Sequence, residues 1–139
     1  MTSIVIEDGA LPLDGLRVLV VDGNADSREL LEFVFEQNGA EVLTAGCCDS
    51  AIELLRRSDV HLLLSELQLP EKDGYTLIAQ VRALEPQQTE QIPAIAVSGY
   101  ANREDRDRAI SAGYQKHFAK PVDIHEVVGW VAKRLQSAK

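Results

Sequence analysis

Four polar residues stand at or just after the ends of short apolar runs, where they could act together on a phosphoryl group. Asp22, Glu66, Ser98 and Lys120 each follow or close such a run. Two carboxylates can hold a hard cation such as Mg²⁺, while a hydroxyl and an ammonium can bind phosphoryl oxygens. The residue types therefore predict a cation and phosphoryl pocket, provided that the fold brings the four run ends to one edge.

The elements needed to position them alternate along the chain. Short β-branched or apolar runs predict strands, and apolar residues at helical spacing predict helices between them. The predicted strands cover 17–21, 41–45, 60–65, 92–98 and 117–119. The predicted helices cover 27–38, a segment around 51–55, a segment around 77–84, 103–112 and the segment from 123 onwards. Five strands alternating with five helices predict an α/β domain, a flavodoxin-like doubly wound five-stranded parallel sheet. Ligands of such sheets bind beyond the carboxyl ends of the strands.

The composition and the N-terminal segment limit the domain bounds, the possible partners and the location of the protein. Residues 1–13 do not fit the alternation and are predicted to be an N-terminal leader arm, with the domain over 14–139. The chain has 14 Lys and Arg against 22 Asp and Glu, a net charge of −8, which disfavours direct nucleic-acid binding. No run approaches the roughly 20 apolar residues of a membrane helix. Cys47 and Cys48 are adjacent, and neighbouring cysteines rarely form a disulfide with each other, so two free thiols are predicted. Free thiols suit a reducing compartment, and a cytoplasmic location is therefore predicted.

Several separated motifs resemble the receiver domains of two-component response regulators, over residues 16–136. The resemblance is carried by Val18–Asp22, by Leu62–Pro70 with Asp73-Gly74, by Ala96–Gly99 and by Ala119–Pro121. It implies the receiver fold, with Asp22 and Gly23 at the acidic pair and Glu66 at the phosphoacceptor position. Ser98 falls at the switch hydroxyl and Lys120 at the family lysine. His117 falls at the aromatic position that reports the switch.

Two positions depart from the family pattern and alter the implied chemistry. The second acid of the pair is Gly23, and the phosphoacceptor aspartate is Glu66, whose carboxylate is displaced by about 1 Å, a misplacement that can cost about 100-fold in rate. We therefore expect an atypical, non-enzymatic receiver that works as a protein-interaction module without the normal phosphorylation cycle. No cofactor is required, and Mg²⁺ is expected to bind weakly, if at all, through Asp22, Glu66 and Gln68.

Alternatives to this interpretation stay open at the level of sequence. The domain could still accept a phosphoryl group from a histidine kinase in a phosphorelay. Glu66 could mimic the phosphorylated state through Lys120 and Ser98, or simply form an ion pair with Lys120. A nucleotide- or flavin-binding enzyme is disfavoured, because no glycine-rich phosphate loop follows the first strand.

The resemblance also implies a partner surface around the fourth helix, the fifth strand and the last helix. The expected partners are other signalling proteins, either a histidine kinase or a downstream effector, with a homodimer as a further option. His117 is expected to be a partly exposed residue at a strand end, and Trp130 either an exposed anchor or a half-buried residue at the rim. The candidate contact residues are Tyr100, Arg103, Arg106, His117 and Trp130.

Overall fold

The computed structural model describes residues 11–84, 92–99 and 103–137, and these form one parallel sheet with helices on both faces. The strands are β1 (Arg17–Val21), β2 (Glu41–Ala45), β3 (Leu62–Glu66), β4 (Ala94–Ser98) and β5 (Lys116–Ala119). The helices are α1 (Ala25–Gln37), α2 (Cys48–Arg57), α3 (Gly74–Leu84), α4 (Arg103–Ala112) and α5 (Ile124–Ser137). The strand order β2-β1-β3-β4-β5 confirms the predicted doubly wound fold.

Alternate residues of the central strands fill two separate cores, one on each face of the sheet. Leu19 of β1 and Leu63 of β3 face a cluster that includes apolar residues of α2, α3 and α4. Val20 and Leu64, their next neighbours, face the cluster of α1 and α5. This period of two is what a sheet covered on both faces requires, and it explains why the central strands read as continuous apolar runs.

The boundaries of several elements differ by a few residues from the predicted ones, for local reasons. Helix α1 begins at Ala25 rather than at residue 27, because the extended Asn24 accepts a hydrogen bond from the Ser27 N–H and caps the helix. Strand β3 begins at Leu62, since His61 stays exposed and its Nδ1 accepts the Arg17 N–H at 2.9 Å. The predicted polar loop at 85–91 lies outside the described residues.

The predicted leader arm is described only from residue 11. Leu13 is fully buried in the α1 and α5 core, and its N–H donates to the Asn38 carbonyl at 2.9 Å. The residues immediately before β1 therefore pack on the domain. The division of the chain at residue 13 stays a prediction.

Candidate functional site

The parallel register brings the four predicted polar residues to the carboxyl edge of the sheet. Val21 is paired with Ser65, so the next residues, Asp22 and Glu66, leave neighbouring strands at the same level. Glu66 is paired with Val97, which precedes Ser98. Lys120 follows β5, and its N–H donates to the Ser98 carbonyl at 2.9 Å. The ends of four strands therefore meet at this edge, where the sequence predicts the pocket, although Ser98 itself does not line the cleft there.

The ammonium of Lys120 lies between the two carboxylates of this pocket. Its Nζ is 2.7 Å from Glu66 Oε2 and 3.2 Å from Asp22 Oδ2. The side chains of Asp22 and Glu66 are 4% and 7% exposed, and that of Lys120 is 31% exposed. Two nearly buried carboxylates thus share one partly exposed ammonium.

Each carboxylate is also fixed by the backbone two residues further along the chain. The Asn24 N–H donates to Asp22 Oδ1 at 2.9 Å, and the Gln68 N–H donates to Glu66 Oε1 at 3.2 Å. Glu66 Oε2 has no hydrogen bond of directed geometry among the described residues, so its contact with Lys120 is an ion pair rather than an aligned bond. Both oxygens of Glu66 are consequently committed within the protein.

The pKa of Lys120 reflects a competition between burial and charge. Burial by itself lowers the pKa of the ammonium, but the contacts with Glu66 and Asp22 outweigh that effect. The net result is a pKa above the usual range of lysine. Lys120 is therefore positively charged at neutral pH.

The hydroxyl of Ser98 forms a hydrogen bond with His117, which lies on the neighbouring strand β5. Ser98 Oγ lies 2.9 Å from His117 Nε2. The expectation of a partly exposed His117 is wrong, because the residue is only 9% exposed. This burial lowers the pKa of its imidazole, although Asp105 and Glu66 act in the opposite direction. The His117 ring is thus buried and in hydrogen-bond contact with the Ser98 hydroxyl.

Gly23 borders the open cleft of about 500 Å³ beside these side chains. An added Cβ would lie 2.9 Å from Pro70 Cδ, so any side chain at this position requires the Pro70 ring to shift. The glycine has no side chain to act as a ligand, and among the described residues that line the cleft the acidic groups are the carboxylates of Asp22 and Glu66. The cleft is lined by Asp22, Gly23, Asn24, Glu66, Gln68, Pro70, Gly99 and Lys120.

The donor set is a poor match for a direct Mg²⁺ site. Mg²⁺ requires close to six oxygens in octahedral geometry, yet the carboxylates of Asp22 and Glu66 are already bridged by Lys120. Gln68, the third predicted ligand, donates its N–H to Glu66, and its side chain is exposed. Among the described residues there is no group of three or more His, Cys, Asp or Glu that could hold a metal. Mg²⁺ would have to displace the ammonium.

The candidate partner residues differ in their exposure. Arg103 and Arg106 are exposed on α4, and Tyr100 lies outside the described residues. Trp130 is half-buried against the α1 and α5 core, with the Arg134 guanidinium 5.5 Å from the ring centroid. Of the two predicted states of Trp130, the structure shows the half-buried one.

Two residues beside Asp22 were not among the predicted site residues. Arg28 Nη1 donates to the Asp22 carbonyl at 2.7 Å, and the Asn24 N–H donates to the Asp22 carboxylate. The position of Asn24 could have been predicted from its residue type, because asparagine is a preferred N-cap residue at the start of a helix. The role of Arg28 depends on the packing of α1 against the turn after β2, which the sequence pattern does not reveal.

Comparison with known proteins places these observations in a family. Residues 18–132 match the family model described as response regulator receiver domain. An uncharacterized 14.6 kDa protein from the sodA1 3′ region of Leptolyngbya boryana is 42% identical over 111 residues, which cover 80% of this chain and 83% of that protein. The phosphate regulon transcriptional regulatory protein PhoB of Escherichia coli K12 is 32% identical over 112 residues. That match covers 81% of this chain but only 48% of PhoB.

Receiver domains of known structure are similar to this chain as well. A response regulator receiver protein from Pseudomonas putida superimposes with a TM-score of 0.76 at 28% identity, covering 85% of this chain and 96% of that one. The receiver domain of the histidine kinase CKI1 from Arabidopsis thaliana, complexed with Mg²⁺ and BeF₃⁻, has a TM-score of 0.75 at 28% identity. It covers 88% of this chain and 92% of that domain. The described helices include none long and apolar enough to span a membrane.

Proposed function

Because this chain belongs to the response regulator receiver domain family, we propose that it is an atypical receiver that signals through protein contacts without the normal phosphorylation cycle. The observation that carries the proposal is the position of Glu66, whose carboxylate is held by Lys120 and by the Gln68 N–H. Phosphoryl transfer depends almost entirely on positioning and on charge stabilisation. Here the residue at the acceptor position is longer and both of its oxygens are already bound.

The loss of the second acid at Gly23 supports the same conclusion. Mg²⁺ would neutralise charge on a phosphoryl group during transfer, and the residues present suit it poorly. In this proposal no cofactor is required, the Lys120 ammonium serves as the resident cation, and the domain is not an enzyme. The cytoplasm is its proposed location, and its partners are other signalling proteins rather than nucleic acid or membrane.

The plain ion pair is favoured over mimicry of the phosphorylated state. A mimic would place the Glu66 carboxylate between Lys120 and the hydroxyl of Ser98. In the structure the Ser98 hydroxyl is turned to the buried His117, which supports a site held in one state. The alternative, a receiver that accepts a phosphoryl group from a histidine kinase, requires Glu66 to leave Lys120 and to act as the nucleophile.

Intact-mass measurement after incubation with Mg²⁺ and acetyl phosphate separates these alternatives. We expect no phosphoryl adduct on the wild type, whereas the Glu66→Asp/Gly23→Asp variant should acquire one. The single Glu66→Asp variant shows whether the acceptor length or the missing acid matters more. Because the new side chain at position 23 meets Pro70 Cδ, thermal unfolding should first show that the double variant is folded.

Each result has a definite meaning. A labelled wild type would overturn the proposal and establish Glu66 as a working acceptor. If the folded double variant stayed unlabelled as well, the two departures would not be the reason for the inactivity. Labelling of Glu66→Asp alone would assign the effect to the length of the side chain.

A further inference from the structure

Helix α1 presents two large apolar side chains to solvent, on the face opposite its buried one. Leu30 is 63% exposed and Phe33 is 55% exposed, whereas Phe35 is fully buried. Phe33 and Phe35 are two residues apart, a rotation of about 200° around a helix, so they lie on opposite faces. Leu30 and Phe33 are three residues apart and are therefore neighbours on the outer face. Contiguous exposed apolar groups mark contact sites, while single ones are ordinary.

The exposed charges of α1 are all acidic and border this apolar pair. Asp26 lies one turn before Leu30. Glu29 lies one turn before Phe33, and Glu36 lies one turn after it. All three acids are exposed, and none of them forms a salt bridge with a described residue. The apolar pair is therefore surrounded by negative charge that the described part of the chain leaves open to a partner.

The one basic residue of α1 does not offset these acids. Arg28 donates from Nη1 to the Asp22 carbonyl at 2.7 Å and is thereby fixed at the other side of the helix. Helix α4 differs, because it carries three arginines and three acids over its first six residues. Its exposed large apolar side chain is Ile110 alone among the described residues. An acidic border around an apolar pair thus distinguishes α1 from α4.

The charge of this face selects the chemistry of its occupant. A symmetric contact between two copies of α1 would bring the acids together, so a second copy is a poor occupant. Lysine or arginine side chains would gain from the same acids. Leu30 and Phe33 are offset by about 4.5 Å along the helix axis. A partner helix lying along α1 can contact both with apolar residues at i and i+3 or i+4.

We propose that the outer face of α1, formed by Leu30, Phe33, Asp26, Glu29 and Glu36, docks an amphipathic helix of a partner protein whose apolar stripe is bordered by lysine or arginine. The apolar pair supplies buried area, and the acids guide the approach and fix the orientation of the helix. This role rests on the proposed function, because a receiver that signals through contacts needs such a surface. It uses none of the residues that line the cleft, so helix binding and phosphoryl labelling can fail independently.

Fluorescence anisotropy with a labelled model helix tests the docking on the full chain. The probe is a peptide of leucine, alanine and lysine, about 18 residues long so that it can be helical, with leucines at i, i+3 and i+4 and lysines beside them. Leu30→Gln/Phe33→Gln should weaken its binding at least about 10-fold, because apolar burial is lost. Glu29→Gln/Glu36→Gln should weaken binding about threefold and reduce its dependence on salt, because screened charges are removed.

Helix α4 supplies the matched control variants. It packs on the opposite face of the sheet from α1, so changes on its surface leave the proposed face intact. Ile110→Gln removes an exposed apolar side chain, and Glu104→Gln/Asp107→Asn removes two exposed acids. Both control variants should bind the lysine peptide as the wild type does. Thermal unfolding should show that all four variants are folded.

Several results would overturn the proposal. The wild type could fail to bind the lysine peptide, or either α1 variant could keep the wild-type affinity. A control variant on α4 could lose as much affinity as its α1 counterpart, which would show binding without a defined face. A peptide with glutamate in place of lysine could bind equally well, which would exclude the role of the acids. Sedimentation could show a wild-type dimer that Leu30→Gln/Phe33→Gln dissociates, which would assign the face to a second copy.

Discussion

At the scale of single residues, the chemistry of the site depends on one cation shared by two carboxylates. Lys120 and Glu66 are far apart in sequence, and the sheet brings Nζ and Oε2 to 2.7 Å. Breaking a buried pair by removing one partner costs more than the pair contributes, because it leaves an uncompensated buried charge. The ammonium is therefore a structural requirement of this pocket as well as its electrostatic centre.

Replacing Lys120 by methionine should destabilise the protein by about 3 kcal/mol at neutral pH, since it removes the ammonium that the buried carboxylates of Asp22 and Glu66 share. Mg²⁺ should then raise the Tm of Lys120→Met more than that of the wild type, because the ion no longer competes with the ammonium. Urea unfolding and thermal scans with and without Mg²⁺ measure both effects.

Lys72→Met is the matched control for that substitution. Lys72 pairs with Asp49 at 2.8 Å, but the two side chains are 46% and 71% exposed. An exposed pair contributes about 0–1 kcal/mol, so the control should lose little stability and gain nothing from Mg²⁺. Equal losses in the two variants, or equal responses to Mg²⁺, would show that Lys120 does not compensate the buried carboxylates.

At the scale of elements, the strands β4 and β5 are joined by the contact between Ser98 and His117 as well as by their backbones. Burial lowers the pKa of His117 below its ordinary value of 6.5, so the unfolded chain binds a proton at a higher pH than the folded one. Stability rises with pH wherever the unfolded state binds more protons. The contribution of His117 is therefore complete above pH 6.5 and is lost as the pH falls below that value.

Substitution of His117 by phenylalanine should remove this loss of stability at acidic pH. The wild type should lose stability as the pH falls below about 6.5, and the variant should lose less over the same range. Urea unfolding at a series of pH values measures the difference. His125→Phe, at an exposed position of α5, should keep the wild-type slope. An unchanged slope in His117→Phe would show that the buried imidazole does not titrate differently on folding.

At the scale of the whole molecule, the sequence predicted the sheet and the residues of its carboxyl edge, because both follow from periodicity and from strand ends. The apolar runs before Asp22 and Glu66 are continuous, as strands buried on both faces require. The burial of His117 was not predictable, since polar neighbours such as Lys116 suggest an exposed strand end. The position of the Pro70 ring, where a Cβ at residue 23 would meet it, and the bridging position of Lys120 both depend on residues far apart in sequence. Local sequence patterns carry no information on such packing.

The folded domain also includes residues that precede the segment matched by the family model. The family match begins at residue 18, yet Leu13 is fully buried among residues of β1, α1 and α5. Truncating a buried leucine removes apolar contacts and leaves a cavity, at a typical cost of 2–5 kcal/mol. Leu13→Ala should therefore lower the free energy of unfolding by about 3 kcal/mol in urea titrations.

Leu11→Ala provides the comparison for Leu13, since Leu11 is only half-buried in the same turn and should cost less. A loss below about 1 kcal/mol for Leu13→Ala would resemble that of a surface substitution and would place the start of the stable core at β1. A large loss would mean that the segment before β1 is part of the cooperative unit.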